Sequence, residues 1–145
     1  MKHALALLLL VAVAGACAPA APRAVEITIH YSHYSMGEVD VPAGVPITFT
    51  IRNDDPIDHE WLLGDTAFHQ RHRTGTEPVH GDRPDEISLP PNSTRTTELT
   101  LPAGSYLYIC HFPLHEEYGM VGASSPAATG EGAAPVVLSA RSYFS

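Results

Sequence analysis

An apolar residue at every second position recurs along this chain, in short runs closed by Pro- and Gly-containing turns. Val25-Glu26-Ile27-Thr28-Ile29-His30-Tyr31 alternates in this way, as does Val45-Pro46-Ile47-Thr48-Phe49-Thr50-Ile51. A period of two is that of a strand with one buried face. Residues 38–41, 59–63, 87–89, 94–101 and 105–110 read as further short strands, and Val136-Val137-Leu138 as the last one. The turns are Pro42-Ala43-Gly44, Asn53-Asp54-Asp55-Pro56, Pro90-Pro91-Asn92 and Pro102-Ala103-Gly104, all built from residues that pre-set or tolerate turn dihedrals. No segment carries a convincing helical period. Short strands with regular turns predict an all-β sandwich or barrel. Residues 64–85 are polar and contain His69, His72 and His80, which predicts a loop with at most one helical turn. Residues 123–134, rich in Gly, Ala, Ser and Pro, read as a flexible loop.

The 145 residues fit one domain preceded by an export signal. Met1-Lys2-His3 is a short basic start, and residues 4–14 are an apolar run too short to span a bilayer. Residues 1–16 therefore read as a signal peptide, residues 17–24 as a tether and residues 25–145 as the folded domain. Ala14-Gly15-Ala16-Cys17 resembles a bacterial lipobox, which makes Cys17 a lipidation site and a membrane attachment; ordinary cleavage that discards Cys17 is the alternative. Lys2 is the single lysine, so the exported chain sets seven Arg against sixteen acidic residues. That surface argues against nucleic acid as a partner. Periplasmic or cell-envelope placement follows from the signal, and a monomer is expected.

An exported chain normally pairs its cysteines. Cys110 has no mate except Cys17 at the edge of the leader, and a lone thiol of this kind is a reactive group or a ligand. Its neighbours favour a ligand. Cys110, His115 and Met120 follow the pattern Cys-x4-His-x4-Met, which sets a thiolate, an imidazole and a thioether along one loop. Two His and one Cys in a plane, with a weak axial Met, make a site for copper cycling between its two oxidation states. The second imidazole must come from elsewhere, and His59, between a turn and a strand, is the candidate. His111 is adjacent to Cys110, but neighbours on an extended strand point to opposite faces, so it is expected to face away from the metal. His69, His72 and His80 are weighed as a second metal site and read as a solvated loop; His30 and His33 read as strand-surface residues, and Tyr106 and Tyr108 as packing residues.

Residues 42–53, then Asp58-His59-Glu60-Trp61, then Cys110-His111-Phe112-Pro113-x-His115-x3-Gly119-Met120-x-Gly122, resemble the cupredoxins, the blue copper proteins, of the bacterial plastocyanin and azurin group. The likeness spans residues 25–122, and its specific part is the loop from Cys110 to Met120. It implies a Greek-key β-sandwich, one type 1 copper, and electron transfer rather than catalysis. It makes His59, Cys110 and His115 the equatorial ligands and Met120 the axial one, with redox partners docking near His115. Three departures stand out. Leu114 replaces a frequent Gly, Glu60 stands where an Asn often pins the ligand loops, and residues 123–134 are inserted before the expected last strand.

Two other functions are consistent with parts of the sequence. The His-containing stretch suits an envelope copper carrier or copper-tolerance protein. A Cys110–His115 nucleophile would make an enzyme, but no orienting acid or oxyanion pattern accompanies it, and Met120 has no role there. An oxidase or reductase would need more copper ligands and a longer chain, and the absence of Cys-x-x-Cys-His excludes a c-type haem motif.

Overall fold

The computed structural model describes residues 23–76 and 83–127. The leader, Cys17, His80 and the strand expected at residues 136–138 lie outside the described residues. Among the described residues nine strands and one helix are formed: β1 Arg23–His30, β2 His33–Tyr34, β3 Glu38–Val39, β4 Pro46–Asn53, β5 His59–Gly64, α1 Thr66–Thr74, β6 Glu86–Leu89, β7 Thr94–Thr100, β8 Tyr106–Ile109 and β9 Val121–Ser124. They make two mixed sheets, ordered β2-β1-β4-β7 and β3-β9-β8-β5-β6. β1 runs parallel to β4, with Val25 opposite Phe49, and β3 runs parallel to β9; the other pairs are antiparallel.

The two-residue period decides which side chains meet between the sheets. Val25, Ile27 and Ile29 of β1 and Ile47, Phe49 and Ile51 of β4 face Trp61 and Leu63 of β5 and Tyr108 of β8. Phe49 and Trp61 pack with ring centroids 5.2 Å apart. The result is the β-sandwich that the alternation predicts. Every residue of β5 is buried, because this strand is covered on both faces. Trp61 and Leu63 point into the sandwich, whereas α1 lies over the other face. Its Phe68 sits so close to Gly64 that a Cβ there would meet the ring at 2.2 Å.

Helix α1 corrects the loop expected across residues 64–85. The Asp65 side chain caps it, accepting from the Phe68 N–H at 2.7 Å, and Gly75 ends it in the left-handed conformation. Arg71, His72 and Arg73 in its last turn complement the helix dipole. The apolar stripe that announces most helices is absent because the covered face is made of Phe68, His69 and His72 (two of three residues polar). The second correction concerns residues 123–134. The chain runs from Met120 straight into β9, which pairs with β8, so residues 123 and 124 are strand and not loop, while residues 128–134 lie outside the described residues. Tyr108 lies across Gly122 in that pair, where a Cβ would meet the ring at 2.0 Å.

Candidate metal centre

Two loops at one end of the sandwich carry the site. The first runs from Asn53 at the end of β4 to His59 at the start of β5. Asn53 is fully buried, and its Nδ2 lies 2.9–3.0 Å from the carbonyls of Ile57, Leu89 and Pro90. Its Oδ1 accepts from the Asp55 N–H at 2.9 Å. Asp55 is thereby turned inward. Its carboxylate accepts from the Tyr31 and Ser32 amides, both at 2.7 Å, in the β1–β2 turn where these two residues have positive φ. It also accepts from His59 Nε2 at 2.9 Å. Burial would raise the Asp55 pKa, but the Ser32 and Tyr31 amides and His59 outweigh it and hold the carboxyl below its ordinary value.

This carboxylate settles the tautomer of His59. An ionised carboxylate only accepts, so His59 Nε2 carries the hydrogen and Nδ1 holds the lone pair. Nδ1 is fully buried with no hydrogen-bond partner. A buried acceptor left empty is costly unless something binds it, and its neighbours are the other donors of the site.

The second loop runs from Cys110 to Met120 and is closed by its own backbone. Cys110 N–H donates to Met120 O at 3.3 Å, Met120 N–H to His115 O at 2.9 Å, and His115 N–H to Phe112 O at 3.0 Å. Cys110 and Met120 are both buried in the sandwich core. Cys110 Sγ lies 3.2 Å from His115 Nδ1, and the rings of His59 and His115 have centroids 5.0 Å apart. One donor atom from each of His59, Cys110 and His115 falls within 4.8 Å of the others. Burial pushes the Cys110 thiol up to about 11, against the backbone amides of Phe112 and Glu60 that lower it. Burial, and then the His59 ring, lower the pKa of His115. A thiol and two imidazole rings converge there, and a bound cation would displace the thiol proton.

The structure separates His111 from this centre, as the strand alternation predicts. His111 lies on the α1 side, with Nε2 2.9 Å from His69 Nδ1, Nδ1 3.1 Å from Glu116 Oε2, and its ring stacked on His72 at 4.8 Å. Burial, then the His69 and His72 rings, push its pKa down to about 4. The solvated-loop reading of His69 and His72 is corrected with it. His69 is fully buried, and the His72 side chain is only 7 % exposed. His30 and His33 are exposed on the surface, as expected.

Glu60 takes over the expected pinning role. Its side chain accepts from the His111 N–H at 2.7 Å, so it ties the strand that starts with His59 to the loop that starts with Cys110. Leu114 adopts φ 72°, the left-handed region that its frequent Gly would occupy freely, and is 56 % exposed beside His115. Asp55 and Glu116 are the functional neighbours that sequence reasoning passed over. Asp55 looked like turn chemistry, and the one local clue was its position four residues before His59.

A thiolate with two imidazoles suits copper, with soft sulfur for the reduced ion and nitrogen for both states. Sandwich and site together define a small copper protein with one metal ion. The chain belongs to the family described as Cupredoxin-like domain, which matches residues 3–121. It is 24% identical over 135 residues to the "Copper-resistant cuproprotein CopI" of Pseudomonas aeruginosa, covering 70% of this chain and 75% of that protein. Two solved structures are similar to it. The dithionite-reduced auracyanin of Roseiflexus castenholzii is 25% identical with a TM-score of 0.60, over 72% of this chain and 96% of that one. Auracyanin A of Chloroflexus aurantiacus, described as a "blue" copper protein, is 25% identical with a TM-score of 0.58, over 74% of this chain and all (100%) of that one.

Proposed function

We propose that the protein is a mononuclear type 1 copper electron carrier of the cell envelope, in which His59, Cys110, His115 and Met120 would hold the ion. The observation that carries this reading is the unpartnered, buried Nδ1 of His59 converging with Cys110 Sγ and His115 within 4.8 Å. Copper, when bound, supplies a one-electron couple. The chain supplies the rest. Asp55 orients the His59 lone pair, burial of Cys110 and Met120 keeps water from the sulfur, and the loop bonds between Cys110, His115 and Met120 hold the ligand set in one shape through the redox cycle. A donor set that need not rearrange suits a carrier rather than a catalyst. His115 is the one partly exposed member of the triad, and Leu114 gives it an apolar rim, so a redox partner docks there.

The test is the copper-loaded protein's visible and electron paramagnetic spectrum. An intense thiolate-to-copper band that bleaches on reduction is expected, and it is absent from Cys110→Ser. A band that survives that substitution would refute thiolate ligation. The likeness to a copper-resistance protein favours one second reading, a copper carrier of the envelope. Exchange kinetics distinguish the two: a metal carrier yields Cu(I) readily to an acceptor, whereas an electron carrier keeps it through many cycles.

A further inference from the structure

Helix α1 lies outside the copper centre, and the electron-carrier reading gives it no role. It is firmly seated. Asp65 caps its start, Phe68 packs on Gly64, and the fully buried His69 donates from Nε2 to the Leu107 carbonyl of β8 at 3.0 Å. A 2.9 Å hydrogen bond joins the His69 and His111 rings, and the His72 ring stacks on His111 at 4.8 Å. The last turn of the helix therefore stands at a set place beside the loop that carries His115.

That loop is bonded mostly to itself. Tyr118 N–H donates to Leu114 O and Gly119 N–H to Glu116 O, both at 3.0 Å, in addition to the bonds from His115 and Met120. Among the described residues, the hydrogen bonds that leave residues 112–119 for a residue outside 110–120 all run from Glu116 to Arg73. Arg73 Nε meets Glu116 Oε2 at 2.9 Å, and a terminal guanidinium nitrogen donates to Oε1, the two-pronged geometry of guanidinium on carboxylate. The partners are 43 residues apart, and Glu116 is the neighbour of His115.

An exposed ion pair adds little to global stability. These side chains are 36 % and 28 % exposed, so the leverage of the pair is local. Cys110 and Met120, at the two ends of the loop, are buried in the core, whereas His115 is partly exposed. A metal leaves such a site when the His115 segment swings outward, and Arg73 resists that swing at the adjoining residue. An opening of this kind has its own free energy, distinct from that of global unfolding.

We propose that Arg73 is a positioning residue for the copper centre: through Glu116 it latches the His115 loop to α1 and slows the release of metal. The latch presupposes the copper-binding reading of the site and deepens it, because a closed loop keeps the ion through repeated redox cycles. Arginine suits the task better than lysine, since its planar fork fixes direction as well as charge.

Arg73→Met keeps side-chain length and helix propensity and removes the fork. In the metal-free protein, amide hydrogen exchange at Tyr118, Gly119 and Met120 should quicken by about 3–10-fold. The Leu63 amide of β5, bonded to the Asp85 carbonyl at 2.8 Å, should exchange as before, which also shows that the variant is folded. In the copper-loaded protein, release to an excess of a Cu(I) chelator should quicken by a similar factor, about 3–10-fold. Arg73→Lys should fall between the two. Arg71→Met, which removes the same charge from the same last turn, should change neither rate. The double variant Arg73→Met with Glu116→Gln should release copper no faster than Glu116→Gln alone, because both changes break one contact. Loop exchange unchanged in Arg73→Met, an equal rise in Arg71→Met, or additive effects in the double variant would overturn the proposal. The loop amides are read without metal and the thiolate band reports the copper, so failure of the latch and failure of the copper reading are visible separately.

Discussion

Replacing Asp55 with Ala tests how the copper centre is prepared before metal arrives. The carboxylate takes three hydrogen bonds, from the Tyr31 and Ser32 amides at 2.7 Å and from His59 Nε2 at 2.9 Å. Asp55 is 4% exposed and His59 is fully buried. Hydrogen bonds to a charged group contribute about 1.5–3 kcal/mol each, and a buried donor left empty costs about 1–3 kcal/mol. The two amides lie in a surface turn, where water replaces part of their loss, while His59 Nε2 cannot be reached. Asp55→Ala should therefore destabilise the metal-free protein by about 3–4 kcal/mol, measured as a fall in the urea midpoint by circular dichroism. With its tautomer no longer held, His59 should also lose copper affinity by about 10–100-fold, measured by competition with a chelator of known affinity. The stability effect has a defined pH dependence. The folded-state pKa of Asp55 lies below its ordinary 3.8, so its contribution is present in full above that value and is lost as pH falls through the lower folded one. The gap between the two proteins should thus narrow in strong acid. Asp54→Ala, which removes an exposed partner of Arg52, should cost under about 1 kcal/mol. A loss at Asp55 no larger than that at Asp54, with copper affinity unchanged, would refute the reasoning.

Two further outcomes follow from the packing and the thiol. Gly122→Ala would drive a Cβ into the Tyr108 ring, which is buried and held by a hydrogen bond from its hydroxyl to the Met36 carbonyl, so the unfolding free energy from urea titration should fall by about 2–3 kcal/mol or the chain should not fold. Copper uptake at pH 8 in weak buffer should release a proton that an indicator dye detects, because burial holds the Cys110 thiol up to about 11 until metal displaces its hydrogen; Cys110→Ser should not show it.

The strand alternation and the Cys110 loop were legible because both are local patterns. A period of two needs nothing but neighbouring residues, and the spacing of Cys110, His115 and Met120 is held by short-range loop bonds that span no more than ten residues. His59 was legible through its place at a turn–strand junction, with the family likeness in support. Helix α1 was not, because its buried face is built from His69 and His72 rather than apolar side chains, and its signals were only Asp65 before and Gly75 after. β9 was missed because Val121-Gly122-Ala123-Ser124 has little strand character of its own and is held by pairing with β8 and β3.

The sequence by itself determined the class of fold, the Cys110–His115–Met120 part of the proposed donor set and the direction His111 takes away from it, since each of these follows from residue type, spacing and period. Only the tertiary structure decided which hydrogens those donors carry. Asp55 reaches His59 because Asn53 and the Tyr31–Ser32 turn hold it there, and Glu116 and the Leu107 carbonyl meet His111 and His69 across about forty residues or fewer of intervening chain. A tautomer is set by the partner across the hydrogen bond. No local pattern names a partner that the fold alone brings into contact.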